Sequence, residues 1–454
     1  MHLGAAVPAG ASTKGSTVQI SVIGLGYLGA VHAASMARLG HDVVGVDVDP
    51  QRVDALGAGK APFFEPGLDE LLAEVTGTGR LTVSTDMSSV AGAQVHFVCV
   101  GTPQRRDGQA ADLSYVDAAV GELVQHLGAG EVVVGKSTVP VGTAQRLADL
   151  VAASRPDAVL AWNPEFLREG FAVQDTLHPD RLVYGVPDGG AGERAAAVLD
   201  EVYSALLAED VPRIVTDYPT AELVKVAANS FLATKISFIN AMAELCEVAG
   251  GDVARLADAI GYDARIGRRF LNAGLGFGGG CLPKDIRAFR ARADELGAGE
   301  AVAFLGEVDA INTRRRARMV DLAVEVLGGM VESAEVTVLG AAFKPDSDDV
   351  RDSPALEVAA RLAERGAVVT VHDPQAIDNA RAKQPGLRYE RDLEEALAGA
   401  DAVLLLTEWR QYRELDPERV GTLVAQRTVL DGRNALSRTA WTAAGWRYRA
   451  LGRR

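Results

Sequence analysis

VQISVIGLGYLG, residues 18–29, decides the fold. The β-branched, apolar run over 18–23 reads as a buried parallel strand. It enters a turn with Gly24, Gly26 and Gly29 in G-x-G-x-x-G spacing. An Ala/Leu/Met-rich helical stretch follows to Gly40, then a second strand, DVVGVDVD, with Asp47 near its end. The spacing alone is a weak signal in a chain with 48 glycines. Strand, glycine turn, helix, strand and acid in that order predict a dinucleotide site. Gly24 permits the tight turn, Gly26 lets the backbone reach a pyrophosphate, and Gly29 lets helix and strand pack closely. The helix N-terminus, with Tyr27 and Leu28, faces the phosphate charge. Asp47 accepts hydrogen bonds from the adenosine ribose and repels a 2′-phosphate, so the expected cofactor is NAD rather than NADP.

Three further strands run into loops that belong at the same edge of that sheet. AQVHFVCVGTP (93–103) ends at Thr102, EVVVGKSTVPVGT (131–143) carries Ser137 and Thr138, and VLAWNPEFLREG (159–170) carries Glu165. Ligands in such folds bind beyond the carboxyl ends of the strands, which is where these side chains fall. Cys99, inside the apolar strand, reads as core.

The stretch 220–250, TAELVKVAANSFLATKISFINAMAELCEVAG, reads as one long helix, apolar on more than one side. Such a helix is buried in its own chain or against a partner subunit. Lys225 and Asn229, four residues apart, share a face. Lys225 reads either as a snorkelling side chain or as a compact, tunable charge retained in a chain with only eight lysines. FLNAGLGFGGGCLPKD (270–285) then crowds five glycines ahead of Cys281. Glycines let backbone approach a ligand closely and leave the thiol accessible. Lys284 and Asp285 follow, and a nearby cation raises the thiolate fraction of a cysteine. The alternative is a flexible turn with an incidental cysteine.

A second αβ pattern starts at EVTVLGAAFKP (335–345) and runs through PALEVAARLAERG, AVVTVHDP and DAVLLLTEW to TVLDGRN (428–434), without a full G-x-G-x-x-G. Lys344 and Arg433 stand at its strand ends, where cations hold phosphate or are merely solvated. The predicted fold class is α/β: two Rossmann-like, doubly wound parallel-sheet domains joined by a long central helical region. Residues 1–17 read as a disordered leader, 18–215 as the NAD-binding domain, 216–325 as a central helical domain with the cysteine loop, and 326–454 as a second Rossmann-like domain.

The chain of 454 residues has net charge −15 and three cysteines. The charge argues against a nucleic-acid partner, and no apolar run is long enough to span a bilayer. Sparse cysteines point to a reducing cytoplasm, and none has metal-ligand spacing.

GLGYLG, VDVD, FEPGL, GTP, STVPVGT, NPEFLREG, the Lys225–Asn229 helix, GFGGGCLPKD, AFKPDSDDVRDSP and DGRN, in that order over roughly residues 18–434, resemble the UDP-glucose/GDP-mannose dehydrogenase family. Gly280 departs from the serine of many members. The resemblance implies oxidation of UDP-glucose to UDP-glucuronate with two NAD, through a thiohemiacetal and thioester on Cys281. It implies that Lys225 and Asn229 stabilise oxyanions and that Thr138 holds the hydrolytic water, with Glu165 or Asp285 as the proton-transfer group. Lys284 and Arg351 join the cofactor residues. For the substrate it implies Phe166, Leu167, Arg265, Phe270, Leu271, Asn272, Gly278, Phe343, Lys344 and Arg433, with Arg265 donated by the neighbouring subunit of a homodimer. Leu282, where UDP-glucose enzymes often carry phenylalanine, keeps GDP-mannose or a UDP-N-acetylhexosamine open as substrate. A silent NAD-binding regulator is the alternative outside enzymes.

Overall fold

The computed structural model describes residues 16–453. The leader expected over 1–17 therefore lies, but for its last two residues, outside the described residues. The chain divides into two compact units. The first comprises the chain up to Pro62, Gly67–Thr102 and Leu113–Leu223; the second comprises Phe63–Pro66, Pro103–Asp112 and Val224 onward.

The first unit is built on strands β1 (Gln19–Ile23), β2 (Asp42–Val46), β3 (Leu81–Ser84), β4 (Val95–Val98), β5 (Val132–Gly135), β6 (Val159–Trp162), β7 (Leu182–Gly185) and β8 (Arg213–Thr216). They form one sheet in the order β3-β2-β1-β4-β5-β6-β7-β8. The first six follow the doubly wound order that leaves a switch point between β1 and β4. All pairs are parallel except β6 and β7, which meet antiparallel at Trp162 and Gly185. Helix α1 (Tyr27–Arg38) follows β1, and its residues Gly29–Ala37 are all buried. Those residues are mostly small, which lets the helix lie close to the sheet.

The second unit holds helices α2 (Tyr218–Ala249), whose first residues belong to the first unit, α3 (Leu282–Glu295) and α4 (Phe304–Val326). Its sheet comprises β9 (Glu335–Leu339), β10 (Val368–His372), β11 (Arg388–Tyr389), β12 (Ala402–Leu405), β13 (Thr428–Asp431) and β14 (Arg447–Ala450). The order β11-β10-β9-β12-β13-β14 repeats the doubly wound arrangement, with every pair parallel. Val336, Val338, Val371, Val403, Leu404 and Leu430 form the centre of its core. Among the described residues, no helix is long and apolar enough to cross a membrane.

Candidate functional site

In the first unit the three glycines of the opening motif do three different jobs. Gly24 has φ +87°, and a Cβ there would meet Val100 at 2.7 Å. Gly29 admits no Cβ at all, since one would lie 1.8 Å from the Gly24 carbonyl oxygen. At Gly26 a Cβ would meet no protein atom within 4 Å. Turn, packing and open approach are thus assigned to separate positions. Helix α1 starts at Tyr27, and its N-cap Gly26 has no side chain to cap it; such a helix start favours an anion. Leu28 lies on that first turn. Asp47 is buried past the end of β2. Its carboxylate accepts the Leu25 N–H at 2.6 Å, the Asp49 N–H at 3.0 Å and Arg52 Nη1 at 2.9 Å. Arg52 was not anticipated. Its only signal is its place one turn beyond the acid, in a helix capped by Asp49. These residues fit a dinucleotide: open backbone at the glycine turn and an oriented carboxylate at the next strand end.

The other strand-end residues are tied to one another. The Thr102 hydroxyl donates to the Thr138 carbonyl at 2.8 Å, and Ser137 donates to the Val100 carbonyl at 2.6 Å. Glu165 accepts the Leu167 N–H at 2.7 Å. The Phe166 ring lies under the Arg181 guanidinium, 3.8 Å from its centroid. The Tyr27 hydroxyl accepts the Gly170 N–H at 3.2 Å. Two unforeseen groups hold this edge. Lys136 donates to Asn163 at 2.9 Å inside the sheet. Glu222 accepts the Gly142 and Ala144 N–H groups at 2.8 and 2.7 Å, fixing the loop after Thr138. Cys99 is core, as read: burial pushes its thiol up to about 12.

In the second unit Cys281 is exposed and occupies the N-cap of α3, where the helix dipole favours a thiolate. Its carbonyl accepts the Asp285 N–H at 2.9 Å. Asp285 is buried, and its carboxylate receives Lys284 Nζ at 2.6 Å and Asn229 Nδ2 at 2.7 Å. Lys225 and Asn229, both buried on α2, present an ammonium and an amide from one face. The structure therefore brings Asn229, Lys284 and Asp285 together at the helix that Cys281 opens, with Lys225 one turn before Asn229 on α2.

The reading of the glycine run was close approach to a ligand; the geometry also shows close approach to protein at these positions. A Cβ at Gly276 would lie 2.0 Å from Asn312 Oδ1, at Gly278 2.3 Å from the Asp352 carbonyl oxygen, and at Gly279 2.8 Å from the Phe343 ring. At Gly280 it would lie 2.3 Å from the Arg351 guanidinium carbon, so this chain's glycine leaves room for that side chain. Arg351 also pairs with Asp349 through two nitrogens.

Among the expected substrate residues, Phe270 adopts φ +64° and is partly exposed. Leu271 is buried, and Asn272 accepts from Arg268 at 2.8 Å. Lys344 Nζ lies 5.4 Å from the Phe343 ring centroid. Arg433 spends donors on the Leu406, Gly276 and Phe343 carbonyls at 2.7, 2.9 and 3.2 Å. It is a clamp between three loops before it is a hand for phosphate. Arg265 is 89% exposed and paired with Asp263. The turn after β9 copies the one after β1. Gly340 has φ +109° and donates to the His372 carbonyl, as Gly24 does to Val46, each at 2.8 Å. Asp373 takes the place of Asp47. Its carboxylate is closed by the N–H groups of Ala341, Ala342, Gln375 and Ala376 and by Trp409 Nε1. That carboxylate thus ties the turn after β9, the loop after β10 and Trp409 together.

Three family descriptions match the chain: the NAD binding domain of the UDP-glucose/GDP-mannose dehydrogenase family over residues 18–207, its central domain over 219–314, and its UDP binding domain over 337–438. The UDP-glucose 6-dehydrogenase of Rhizobium meliloti is 43% identical over 96% of this chain and 100% of its own length. The UDP-glucose 6-dehydrogenase TuaD of Bacillus subtilis is 40% identical over 96% and 93%. A solved UDP-glucose dehydrogenase from the archaeon Pyrobaculum islandicum superposes with TM-score 0.88 at 41% identity, covering 99% of this chain and 100% of that one. A UDP-D-ManNAc dehydrogenase from Pyrococcus horikoshii superposes with TM-score 0.83 at 28% identity, covering 96% and 99%. With a dinucleotide turn in one unit, a helix-capping cysteine in the other, and relatives matched end to end, the chain belongs to the UDP-glucose/GDP-mannose dehydrogenase family, an NAD-dependent group of oxidoreductases.

Proposed function

We propose that the chain oxidises UDP-glucose to UDP-glucuronate, consuming two NAD and one water, with Cys281 as the covalent catalyst. The observation that carries this reading is the exposed thiol at the N-cap of α3, one turn from the buried Asn229–Asp285 pair and its half-buried partner Lys284. NAD would be held by Gly24, Gly26, Tyr27, Leu28 and Asp47 with Thr102, Ser137, Thr138, Glu165, Lys284 and Arg351, and would supply the hydride acceptor for both oxidations. After the first oxidation C6 is an aldehyde. The Cys281 thiolate adds to it, forming a C–S bond and placing negative charge on the former carbonyl oxygen. Lys225 and Asn229 stabilise that oxygen, at about 3 kcal/mol for a well-placed donor. Loss of the second hydride leaves a thioester. Water held by Thr138 attacks it, the C–S bond breaks, and Glu165 or Asp285 takes the proton.

The proposed division of labour assigns 18–215 to the cofactor, 216–325 to dimerisation and the catalytic loop, and 326–454 to the UDP-sugar, through Phe343, Lys344 and Arg433. Phe231, Phe238 and Leu245, seven residues apart on α2, are all exposed. Such a stripe suits the same helix of a second copy, and a homodimer is the proposed assembly, with Arg265 reaching the neighbour. Three free cysteines, one of them the nucleophile, suit the cytoplasm. The test is a panel of UDP-glucose, GDP-mannose and UDP-N-acetylhexosamines with NAD. Two NADH per UDP-glucose consumed, and slower turnover of the others, is the expected result. One NADH per sugar contradicts the thioester route, and preference for another sugar contradicts the substrate.

A further inference from the structure

We propose that Asn312 and Arg316, one turn apart on the buried side of α4, are positioning residues that set where the Cys281 thiol stands by gripping the Phe277 peptide. The proposal rests on Cys281 being the nucleophile. Gly278, Gly279 and Gly280 separate Phe277 from Cys281. That run has no side chains with which to fix itself, and glycine has more conformational freedom to lose than any other residue. The thiol therefore inherits its place from the anchors on either side. Downstream the anchor is α3, tied to α2 through Asp285 and Asn229. Upstream it is the Phe277 peptide.

Asn312, 1% exposed, engages that peptide at both ends. Its Oδ1 accepts the Phe277 N–H at 2.7 Å, and its Nδ2 donates to the Phe277 carbonyl at 2.9 Å. Arg316 Nη2 donates to the same carbonyl at 3.0 Å. Arg316 Nη1 donates to Asp352 at 2.8 Å and Glu357 at 2.6 Å, so its buried charge is matched. Asp352 itself has φ +47°, and its carbonyl oxygen lies 2.3 Å from where a Gly278 Cβ would be. The Gly279 N–H donates to the neighbouring Arg351 carbonyl at 2.9 Å. One guanidinium thus joins the stretch before the thiol to the loop that carries Arg351. In sequence these residues sit in NTRRRAR (312–318), a run of arginines in which no motif singles them out.

Misplacing a reacting group by about 1 Å costs about a hundredfold in rate. The test compares Asn312→Asp, Arg316→Lys and Arg316→Ala with the full-length parent. Each is assayed for kcat and KM with UDP-glucose and NAD, and for the rate at which iodoacetamide alkylates Cys281 without substrate. Asn312→Asp keeps the size and the acceptor but loses the donor; Arg316→Lys keeps the charge but not the two-way reach. Expected results are a kcat lower by about tenfold to a hundredfold, KM for UDP-glucose within about threefold of the parent, and an altered alkylation rate. Guanidinium ion should restore part of the kcat of Arg316→Ala. If Arg316→Ala does not fold, Asn312→Asp and Arg316→Lys decide. Parental kcat and alkylation in those two overturn the proposal, as does a rise in KM at constant kcat. Cys281→Ser, run alongside, separates the claims: full acid production by that variant defeats the nucleophile, whereas the alkylation rates report on the clamp in either case.

Discussion

Replacing Asp47 by asparagine removes one negative charge while keeping an oxygen for the Leu25 N–H, which now reaches the carboxylate at 2.6 Å. The turn after β1 is therefore retained. What changes is the charge seen by the ribose. A hydrogen bond to a carboxylate contributes about 1.5–3 kcal/mol, and one between neutral groups about 0.5–1.5 kcal/mol. The difference, about 1–1.5 kcal/mol, raises KM for NAD by roughly tenfold. For NADP the effect has the opposite sign. A carboxylate about 4 Å from a phosphate charge costs up to about 4 kcal/mol at an effective dielectric of about 20, and the substitution removes that repulsion. It also frees Arg52, which lies 2.9 Å from both carboxylate oxygens, to meet the 2′-phosphate. The ratio of kcat/KM for NAD to that for NADP should fall by about a hundredfold to a thousandfold. Initial rates followed through the absorbance of the reduced nicotinamide measure it directly. An unchanged ratio in a variant of unchanged Tm refutes the ribose role of Asp47.

Lys225→Ala should lower kcat by about a hundredfold or more while moving KM for UDP-glucose little, because a buried oxyanion donor acts in the transition state; a defect confined to KM would make Lys225 a binding residue. Gly29→Ala would place a methyl carbon 1.8 Å from a backbone oxygen. It should cost more than about 3 kcal/mol and abolish NAD binding, since neither the helix nor the turn can yield alone; a parental Tm contradicts that packing. Acidification should destabilise both units. Burial first of all holds His32, His41 and His96 in the first unit, and His372 in the second, below the ordinary imidazole value. The unfolded chain then binds more protons below about pH 6.5. Stability from these residues is complete above that pH and is lost as pH falls, by up to about 1.4 kcal/mol per pH unit for each histidine. Denaturant titrations from about pH 7.5 down to about pH 5.5 check this, and a flat profile contradicts it.

The central strands of both sheets, β1, β2, β4, β5 and β6 and β9, β10, β12 and β13, were legible because they are near-continuous apolar runs with glycine or a strand-end acid at readable spacing. Strands β3, β7, β8, β11 and β14 were not read, and β8, β11 and β14 are short and carry arginine. Cys281 was singled out by its glycines, although their packing against protein was not read. Sequence gives the absence of a side chain; only packing tells that Asn312, Asp352 and Phe343 occupy the space. Asn312, Arg316 and Glu222 were illegible for one reason. Each acts on backbone groups of a segment remote in sequence, and no local pattern records that. Arg433 was legible as a strand-end cation, but its three carbonyl partners come from three separate loops. Arg52 lay within reach of a local reading, one turn into the helix after Asp47.

The covalent step is tested most directly by quenching the enzyme in acid during turnover of UDP-glucose with NAD and mapping the peptide that contains Cys281 by mass spectrometry. The account predicts an acyl adduct of the oxidised nucleotide sugar on that peptide, released by hydroxylamine and absent from Cys281→Ala. Turnover to the acid by Cys281→Ala at the parental rate, or an adduct on Cys99 or Cys246 instead, would contradict it.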